Sequence, residues 1–390
     1  FFFRDRYAQK PLYWSLTSKG LIISSLKTSF LVLGFNLINR HKAEKYLKSI
    51  TFTANKTLIA NVNQVSRSYI YSFEKGSIKH ISKSSLNFAY LKNSLCIESK
   101  KYKPILSYSG GVDSHFLASY INKEDDLRDS YKFISLASKE DIDQCNFIRK
   151  RSCELSLNLN LLTPSENELT SMYSDFMNLY HDPVYDPGAI FSNYLFYEVS
   201  KISRVLIGGD GADELFWGYS RMIKLKKLKR YLPKDIFHYI LPYLYQIAVS
   251  NPRNIFEKAM DKELFPSFLD PIQAFEVSFF MQLVLQKNDI LSLFHGVEYR
   301  CPFLSSTFLE QLSEEYSLSA QSTSKNPLTS SDILKYGFAH ADQFSLNKEL
   351  IYNSTLTKKE KIRINNLNER YPNYAFRLLS FFSWIRNYKS

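Results

Sequence analysis

The sequence predicts an α/β fold built on a parallel sheet, and two stretches carry the prediction. Pro104-Ile105-Leu106 reads as the end of a buried strand, and His115 to Tyr120 reads as the start of a helix. A glycine-rich turn joins them. Further on, the aliphatic run Val205-Leu206-Ile207 enters a second glycine-dense turn that leads to acidic residues. Between the two lie roughly 95 residues, room for two or three further strand–helix units. Both turns can then meet at the carboxyl edge of one sheet, where open α/β folds place their ligands.

In chain order, the polar stretch Ser82 to Ser94 holds a junction and a first helix. The strand at 105–108 and the helix from Ser114 make one unit. A strand at 132–136 and a helix over 141–155 make another, with Phe147, Ile148 and Leu155 as apolar positions. A strand at 158–162, a helix over 166–180, a loop at 181–189 and a helix over 190–200 lead to the strand at 205–207. After Tyr219 the pattern is mostly helical, with prolines at 233, 242, 252, 266 and 271 marking boundaries.

The run Ser107-Tyr108-Ser109-Gly110-Gly111-Val112-Asp113-Ser114 points to phosphate chemistry. A strand, a glycine turn and a helix N-terminus aim backbone N–H groups at an anion. Gly110 and Gly111 permit close approach and positive φ, and Ser109 and Ser114 add hydroxyl donors. A carboxylate beside phosphates is repulsive unless a divalent cation intervenes, so Asp113 implies Mg2+. The Gly-Lys-Ser/Thr ending of a Walker A loop is absent. A plain serine/glycine turn would look similar over six residues. The second stretch, Val205-Leu206-Ile207-Gly208-Gly209-Asp210-Gly211-Ala212-Asp213-Glu214, repeats the logic and makes the pair specific.

The first turn resembles the Ser-Gly-Gly-x-Asp-Ser loop of the N-type ATP pyrophosphatases, which cut ATP between the α- and β-phosphates. The second resembles the second nucleotide-site segment of the asparagine synthetase family. That resemblance implies ATP and Mg2+ as cofactors, with Ser109, Gly110, Gly111, Asp113, Ser114, Gly208 and Gly209 around the nucleotide. It implies Asp113 and Asp213 as metal ligands, against the plain alternative of helix N-capping. Gly208 stands where Ser is common. Asp210 aligns with an acidic position that binds or deprotonates the amine, although an Asp also suits a turn. Glu214 is placed similarly, or is a helix-start carboxylate favoured by the dipole.

Glu298-Tyr299-Arg300-Cys301-Pro302-Phe303-Leu304 resembles the family's Glu-x-Arg-x-Pro-Phe-Leu-Asp turn, with Ser305 in place of the final Asp. Glu298 is expected to pair with Arg300 and shape the site, or to be structural. Lys325 stands where the family keeps a lysine that stabilises charge on the α-phosphate, a role worth a few kcal/mol in a dry site; a surface lysine is the alternative. The loop from His181 to Ile190 resembles the segment near the acyl substrate and keeps Asp186, with Asp182 for Glu and Gly188 for Ser. His115 and His295 read as packing or capping residues.

Phe1 to Trp14 resembles the Arg-Asp-Arg-x-Gly-x-Lys-Pro-Leu-Tyr segment of class II glutamine amidotransferase domains, with Ala8 for the usual Gly. The implied organisation is a partial α+β, Ntn-type glutaminase-like domain at 1–82 and an adenine nucleotide α-hydrolase-like ATP pyrophosphatase domain with a helical C-terminal part at 83–390. Such glutaminases use an N-terminal cysteine; residue 1 is Phe and the first cysteine is Cys96, so this chain is not expected to hydrolyse glutamine. Either part of that domain lies outside this sequence or it has become a scaffold.

Composition bounds the rest. Hydrophobic content of 45% with 23% charged residues is that of a soluble globular protein. No apolar run approaches the ~18–20 residues of a membrane helix, and no signal-peptide pattern opens the sequence. Four scattered cysteines without zinc-ligand spacing point to a reducing, cytoplasmic setting. The net charge of +12 invites nucleic acid as a partner, best at 224–230. There, however, Lys224, Lys226, Lys227, Lys229 and Arg230 alternate with Met222, Ile223, Leu225 and Leu228 at helical spacing, as on a solvated amphipathic face. The implied reaction is adenylation of a carboxylate followed by amine attack: asparagine from aspartate in the archetype, with ammonia or glutamine-derived nitrogen and room for a homodimer. Peptide or lactam cyclisation, sugar-acid amidation and a non-catalytic scaffold remain as alternatives.

Overall fold

In the computed structural model, residues 1–5, 7–35, 37–39, 42–43, 57–66, 69–74, 77–83, 103–139, 141–179, 183–184, 186–233, 236–237, 240, 270–304, 356–368 and 372–389 are described. The centre is a five-stranded sheet of β7 (Ile105–Ser107), β8 (Lys132–Leu136), β9 (Leu159–Leu162), β10 (Val205–Ile207) and β11 (Glu298–Arg300). Its order is β11-β10-β7-β8-β9, and every neighbouring pair is parallel. This is the α/β fold that the sequence predicts. The strands at 132–136 and 205–207 fall on the predicted residues and those at 105–107 and 159–162 lie within one position, whereas β11 forms where the sequence reading has a turn.

Strand order explains why the two glycine turns meet. From β7 the chain steps outward to β8 and β9, then recrosses to lay β10 on the other side of β7. The order therefore reverses between β7 and β10, and a crevice opens there at the carboxyl ends. Helix α2 (Val112–Lys123), a short α3 (Asp125–Arg128), α4 (Ile142–Glu154), α5 (Glu166–Leu179) and α6 (Ala189–Ser200) supply the crossovers. Short α7 (Ala212–Phe216) follows β10, and α8 (Ser220–Lys229) follows that.

Alternating residues of each strand enter two different cores, as a sheet covered on both faces requires. Leu106, Phe133, Val205 and Ile207 pack with Leu117 and Ile121 of α2 and Ile148 of α4. Ile105, Ile134 and Leu206 face the other way, onto Tyr173 and Phe176 of α5 and Phe196 of α6. The long helix α9 (Pro271–Phe294) joins both layers: Val277, Met281 and Leu285 enter the first core, Ile290 and Leu291 the second. Its start is well specified. Asp270 caps it in a reciprocal capping box with Gln273, and Pro271 takes the first turn. Helix α8 buries Met222 and Leu225 and leaves its lysines outside, as the amphipathic reading requires.

The N-terminal part forms two small antiparallel sheets. Strands β2 (Tyr13–Thr17), β3 (Gly20–Ser24) and β4 (Asn63–Gln64) make one. Strands β1 (Phe2–Phe3), β5 (Tyr69–Glu74) and β6 (Ser77–Lys83) make the other, and α1 (Thr28–Val32) follows β3. Tyr13, Phe30, Ile59 and Val62 share a core with Phe381 and Trp384 of α11 (Pro372–Lys389), which follows α10 (Lys358–Asn368). Buried Arg4 ties the segment by donating to the carbonyls of Lys10, Val65 and Ala8 at 2.8, 3.0 and 2.9 Å. Ala8 sits at φ 53, the left-handed region where a Cβ is strained and the resembling segment carries Gly.

Candidate active site

A cavity of about 240 Å³ lies at the switch point, lined by Ser109, Gly111, Asp113 and Ser114 from one turn and Gly208 to Gly211, Asp213 and Glu214 from the other. Ser107, Tyr219, Met281, Val284 and Tyr299 complete the wall. The first turn is braced by its own hydroxyls. Ser114 Oγ accepts from the Ser109 amide at 3.2 Å and donates to the Gly111 carbonyl at 3.1 Å. The Ser109 and Ser114 hydroxyls are 3.1 Å apart, and the Gly111 amide donates to Ser109 Oγ at 3.3 Å. Gly110 takes φ +76, and a Cβ there would sit 3.1 Å from the Phe147 ring. Gly111 departs from the sequence expectation: its φ is −65, because it is the N-cap of α2 and not a left-handed turn residue.

The second turn needs its glycines for space. A Cβ at Gly209 would meet the Asp113 Cβ at 3.3 Å, so the two loops approach backbone to side chain. Gly211 takes φ +94, and a Cβ there would run into Leu304 at 2.3 Å. Gly218 leaves room for the Asp213 carboxylate, whose Oδ1 would lie 1.8 Å from a Cβ at that position.

The electrostatics are those of a site short of positive charge. Burial, then the charges of Asp213 and Asp210, push Asp113 up to about 7. Burial and Asp210 push Asp213 up to about 6, with the Arg221 guanidinium opposing. Glu214 is fully buried and is pushed up to about 8 by burial and then by Asp213, while Tyr219 donates to its Oε1 at 3.0 Å. Arg221 is largely occupied, with bidentate bonds to buried Glu276 at 2.8 and 2.9 Å. Carboxylates gathered round one cavity with mutually raised pKa values suit a divalent cation. Among the described residues no group of three or more His, Cys, Asp or Glu is set to hold a metal unaided. Mg2+ usually takes one or two carboxylates plus substrate phosphates, and Asp113 and Asp213 fit that donor set.

Other expected residues fall elsewhere. Glu298 is not in the cavity wall; its Oε1 lies 3.7 Å from Arg300 Nε and 3.5 Å from Lys10 Nζ, so the pair with Arg300 forms as part of a half-exposed cluster. Lys10 also pairs with buried Asp289 at 3.0 Å. Asp186 pairs with Lys287 at 2.7 Å. Burial raises the Asp186 carboxyl, but Lys287 outweighs it and holds it below its ordinary value. His115 Nδ1 lies 2.9 Å from the Tyr108 hydroxyl, and His295 Nε2 2.9 Å from Asn193 Oδ1, both packing arrangements. Asp182, Lys325, Ser305 and Cys96 lie outside the described residues.

Two wall contacts were not legible in the sequence. Tyr299 and Asn288 both donate to Asp210 Oδ2, at 2.8 and 2.6 Å. The register of β11 against β10, Leu206 opposite Tyr299, brings this tyrosine to the turn. Its place between Glu298 and Arg300 of a quoted motif was the available signal, but a variable position gives no reason to look.

Residues 104–319, more than half of the chain, match the family model described as Asparagine synthase. The chain belongs to the asparagine synthase family. The match spans both glycine turns and the β11 segment of this asparagine synthase-family chain. The chain is also 24% identical over 319 residues to glutamine-hydrolysing asparagine synthetase 1 of Bacillus subtilis (strain 168), covering 74% of this chain and 49% of that protein. It thus spans about half the length of the curated relative it matches. Among solved structures, U34-tRNA thiolase NcsA from Methanococcus maripaludis aligns at 13% identity and a TM-score of 0.26, covering 77% of this chain and 75% of that one. A TM-score that low says nothing about the fold.

Proposed function

We propose that this protein is a ligase that forms a carbon–nitrogen bond by ATP-dependent activation of a carboxylate, with aspartate and ammonia, or glutamine-derived nitrogen, as substrates. The observation that carries the reading is the meeting of two glycine turns and three aspartates, Asp113, Asp210 and Asp213, round one cavity at the switch point of a parallel sheet. Ser109, Gly110, Gly111 and Ser114, with the N-terminus of α2, hold the phosphates, and Gly209 lets the nucleotide approach the backbone, whereas the space expected at Gly208 is taken by the Tyr299 phenol. Asp113 and Asp213 would hold Mg2+. When bound, that ion neutralises charge on the departing pyrophosphate.

The substrate carboxylate attacks the α-phosphorus, the α–β bridge breaks, and pyrophosphate leaves. The amine then attacks the acyl carbon of the acyl-adenylate, AMP departs, and the amine proton passes to a base. Asp210, in the wall beside the metal pair, takes that proton. Lys325 is assigned to the charge developing on the α-phosphate, and Glu298 to shaping the site through the Lys10 and Arg300 cluster. Residues 1–82 are read as a partial glutaminase-like unit docked on the ligase.

A second reading, amide formation on a different carboxylate, is favoured by Gly188. A Cβ there would meet the Asp186 carboxylate at 3.3 Å, so a serine in its place would press on the Asp186–Lys287 pair. The test is pyrophosphate release from ATP–Mg2+ and ammonium with aspartate, beside a panel of sugar acids and peptide carboxylates. Release with aspartate above the panel is expected. Release with a panel member alone moves the assignment to the second reading, and none with any carboxylate removes both.

A further inference from the structure

Beside the phosphate turns, a glycine and a tyrosine from neighbouring strands occupy one another's space. A Cβ at Gly208 would lie 1.8 Å from the Tyr299 hydroxyl oxygen and 2.5 Å from its Cζ. The phenol therefore fills the volume that any other residue at 208 would use, and the resembling segment commonly carries Ser there. The fit is fixed by the sheet: the Gly208 amide donates to the Arg300 carbonyl at 2.9 Å, immediately beyond the Ile207–Arg300 pair. The Tyr299 ring is clamped edge-on against Phe196 of α6, with centroids 5.5 Å apart and an interplanar angle of 88°.

Through that gap the hydroxyl reaches Asp210 Oδ2 at 2.8 Å, and Asn288 Nδ2 reaches the same oxygen at 2.6 Å. Both bonds fall on Oδ2, and no described residue bonds Oδ1, which leaves that oxygen for a ligand. We infer that Tyr299 is a positioning residue: by filling the space above Gly208 it fixes the Asp210 carboxylate so that one oxygen is presented to the incoming amine. Burial and then the facing Asp210 charge push the Tyr299 phenol well above its ordinary value, so it remains a hydrogen donor throughout the working pH range. A serine at 208 would place its Cβ inside the phenol, so Gly208 and Tyr299 form one unit. The inference rests on the amide-forming reading and adds a residue to its amine-transfer half.

The test uses the full chain with ATP–Mg2+, ammonium and whichever carboxylate supports wild-type release. Tyr299→Phe keeps the ring and removes the hydroxyl alone. ATP–Mg2+ affinity and ATP–pyrophosphate exchange without ammonium are expected to stay within about twofold, while amide formation falls about tenfold with a raised KM for ammonium, the scale of one lost bond to a charged group. In an Asp210→Asn background the same change is expected to have no further effect, since the tyrosine acts through that carboxylate. An unaltered amide rate in Tyr299→Phe overturns the inference alone. So does a melting temperature that falls in step with exchange and amide formation, which would make the hydroxyl merely structural. A wild-type protein that binds ATP but transfers to no amine removes the functional reading and this inference with it.

Discussion

Asp113 and Asp213 are carboxylates that the fold holds against their preference for water. Each has a folded pKa raised above the unfolded value, to about 7 and about 6. Their protonated forms are therefore favoured by folding. The stability they contribute is full below the ordinary carboxylate pKa of about 4 and is lost as pH rises through about 6 and 7. Without metal, melting temperature should fall from about pH 4 to about pH 7 through these groups, with Glu214 extending the fall to about pH 8. Mg2+ requires the deprotonated pair, so the rise in melting temperature on adding ATP–Mg2+ should grow as pH rises through about 6 and 7. Asp113→Asn should flatten both trends; an equal ATP–Mg2+ shift at the two ends would contradict the metal assignment. At this scale the sequence shows which residue types gather, because glycines and acids in a short turn have few other uses. It does not show which partner each acid finds. Asp210 was legible as a candidate, whereas its donors Tyr299 and Asn288 reach it from segments nearly eighty residues or more away. Lys10 and Glu298 meet over a longer distance still.

At the scale of elements, short strands ending in glycine turns do the positioning. Strand β10 has three residues, and α7 begins straight after a left-handed Gly211 whose missing side chain admits Leu304. Gly211→Ala combines a positive φ with an overpacked contact, for a loss of about 2–4 kcal/mol. Urea unfolding would measure it; a loss under about 0.5 kcal/mol would mean that the turn adapts and that glycine is not structurally required. Strands β7, β8 and β10 were legible because both faces are buried, which gives aliphatic runs instead of alternation, whereas β11, Glu298–Arg300, is polar and reads as a turn. Helices α2, α4, α5 and α6 were legible to within one or two residues for a similar reason, since their apolar stripes match the two cores. Gly111 shows the limit. Glycine at a helix N-cap and glycine in a left-handed turn read alike, and only the backbone angle separates them.

For the whole molecule, several ties among the described residues join the N-terminal part to the rest. Phe381 and Trp384 of the last helix enter the N-terminal core, and Gln282 of α9 donates to the Tyr7 carbonyl at 2.8 Å. The Lys10–Asp289 pair adds a further link between the first segment and the helix that crosses the catalytic edge. The excess positive charge sits in part on α8, where Lys226 lies 4.3 Å from the centre of the Trp217 ring and the apolar side faces inward. None of this defines the reaction; the site at the switch point does. We propose that ATP is cut there between the α- and β-phosphates by the substrate carboxylate, with Asp113 and Asp213 as the residues that would hold a divalent cation. The most direct test is to identify the nucleotide product by chromatography after incubation with ATP–Mg2+, ammonium and the carboxylate panel, beside Asp113→Ala and Asp213→Ala. AMP with an equal amount of pyrophosphate, lost in both variants, is the predicted result. ADP with phosphate, or AMP formation that survives both substitutions, would contradict it.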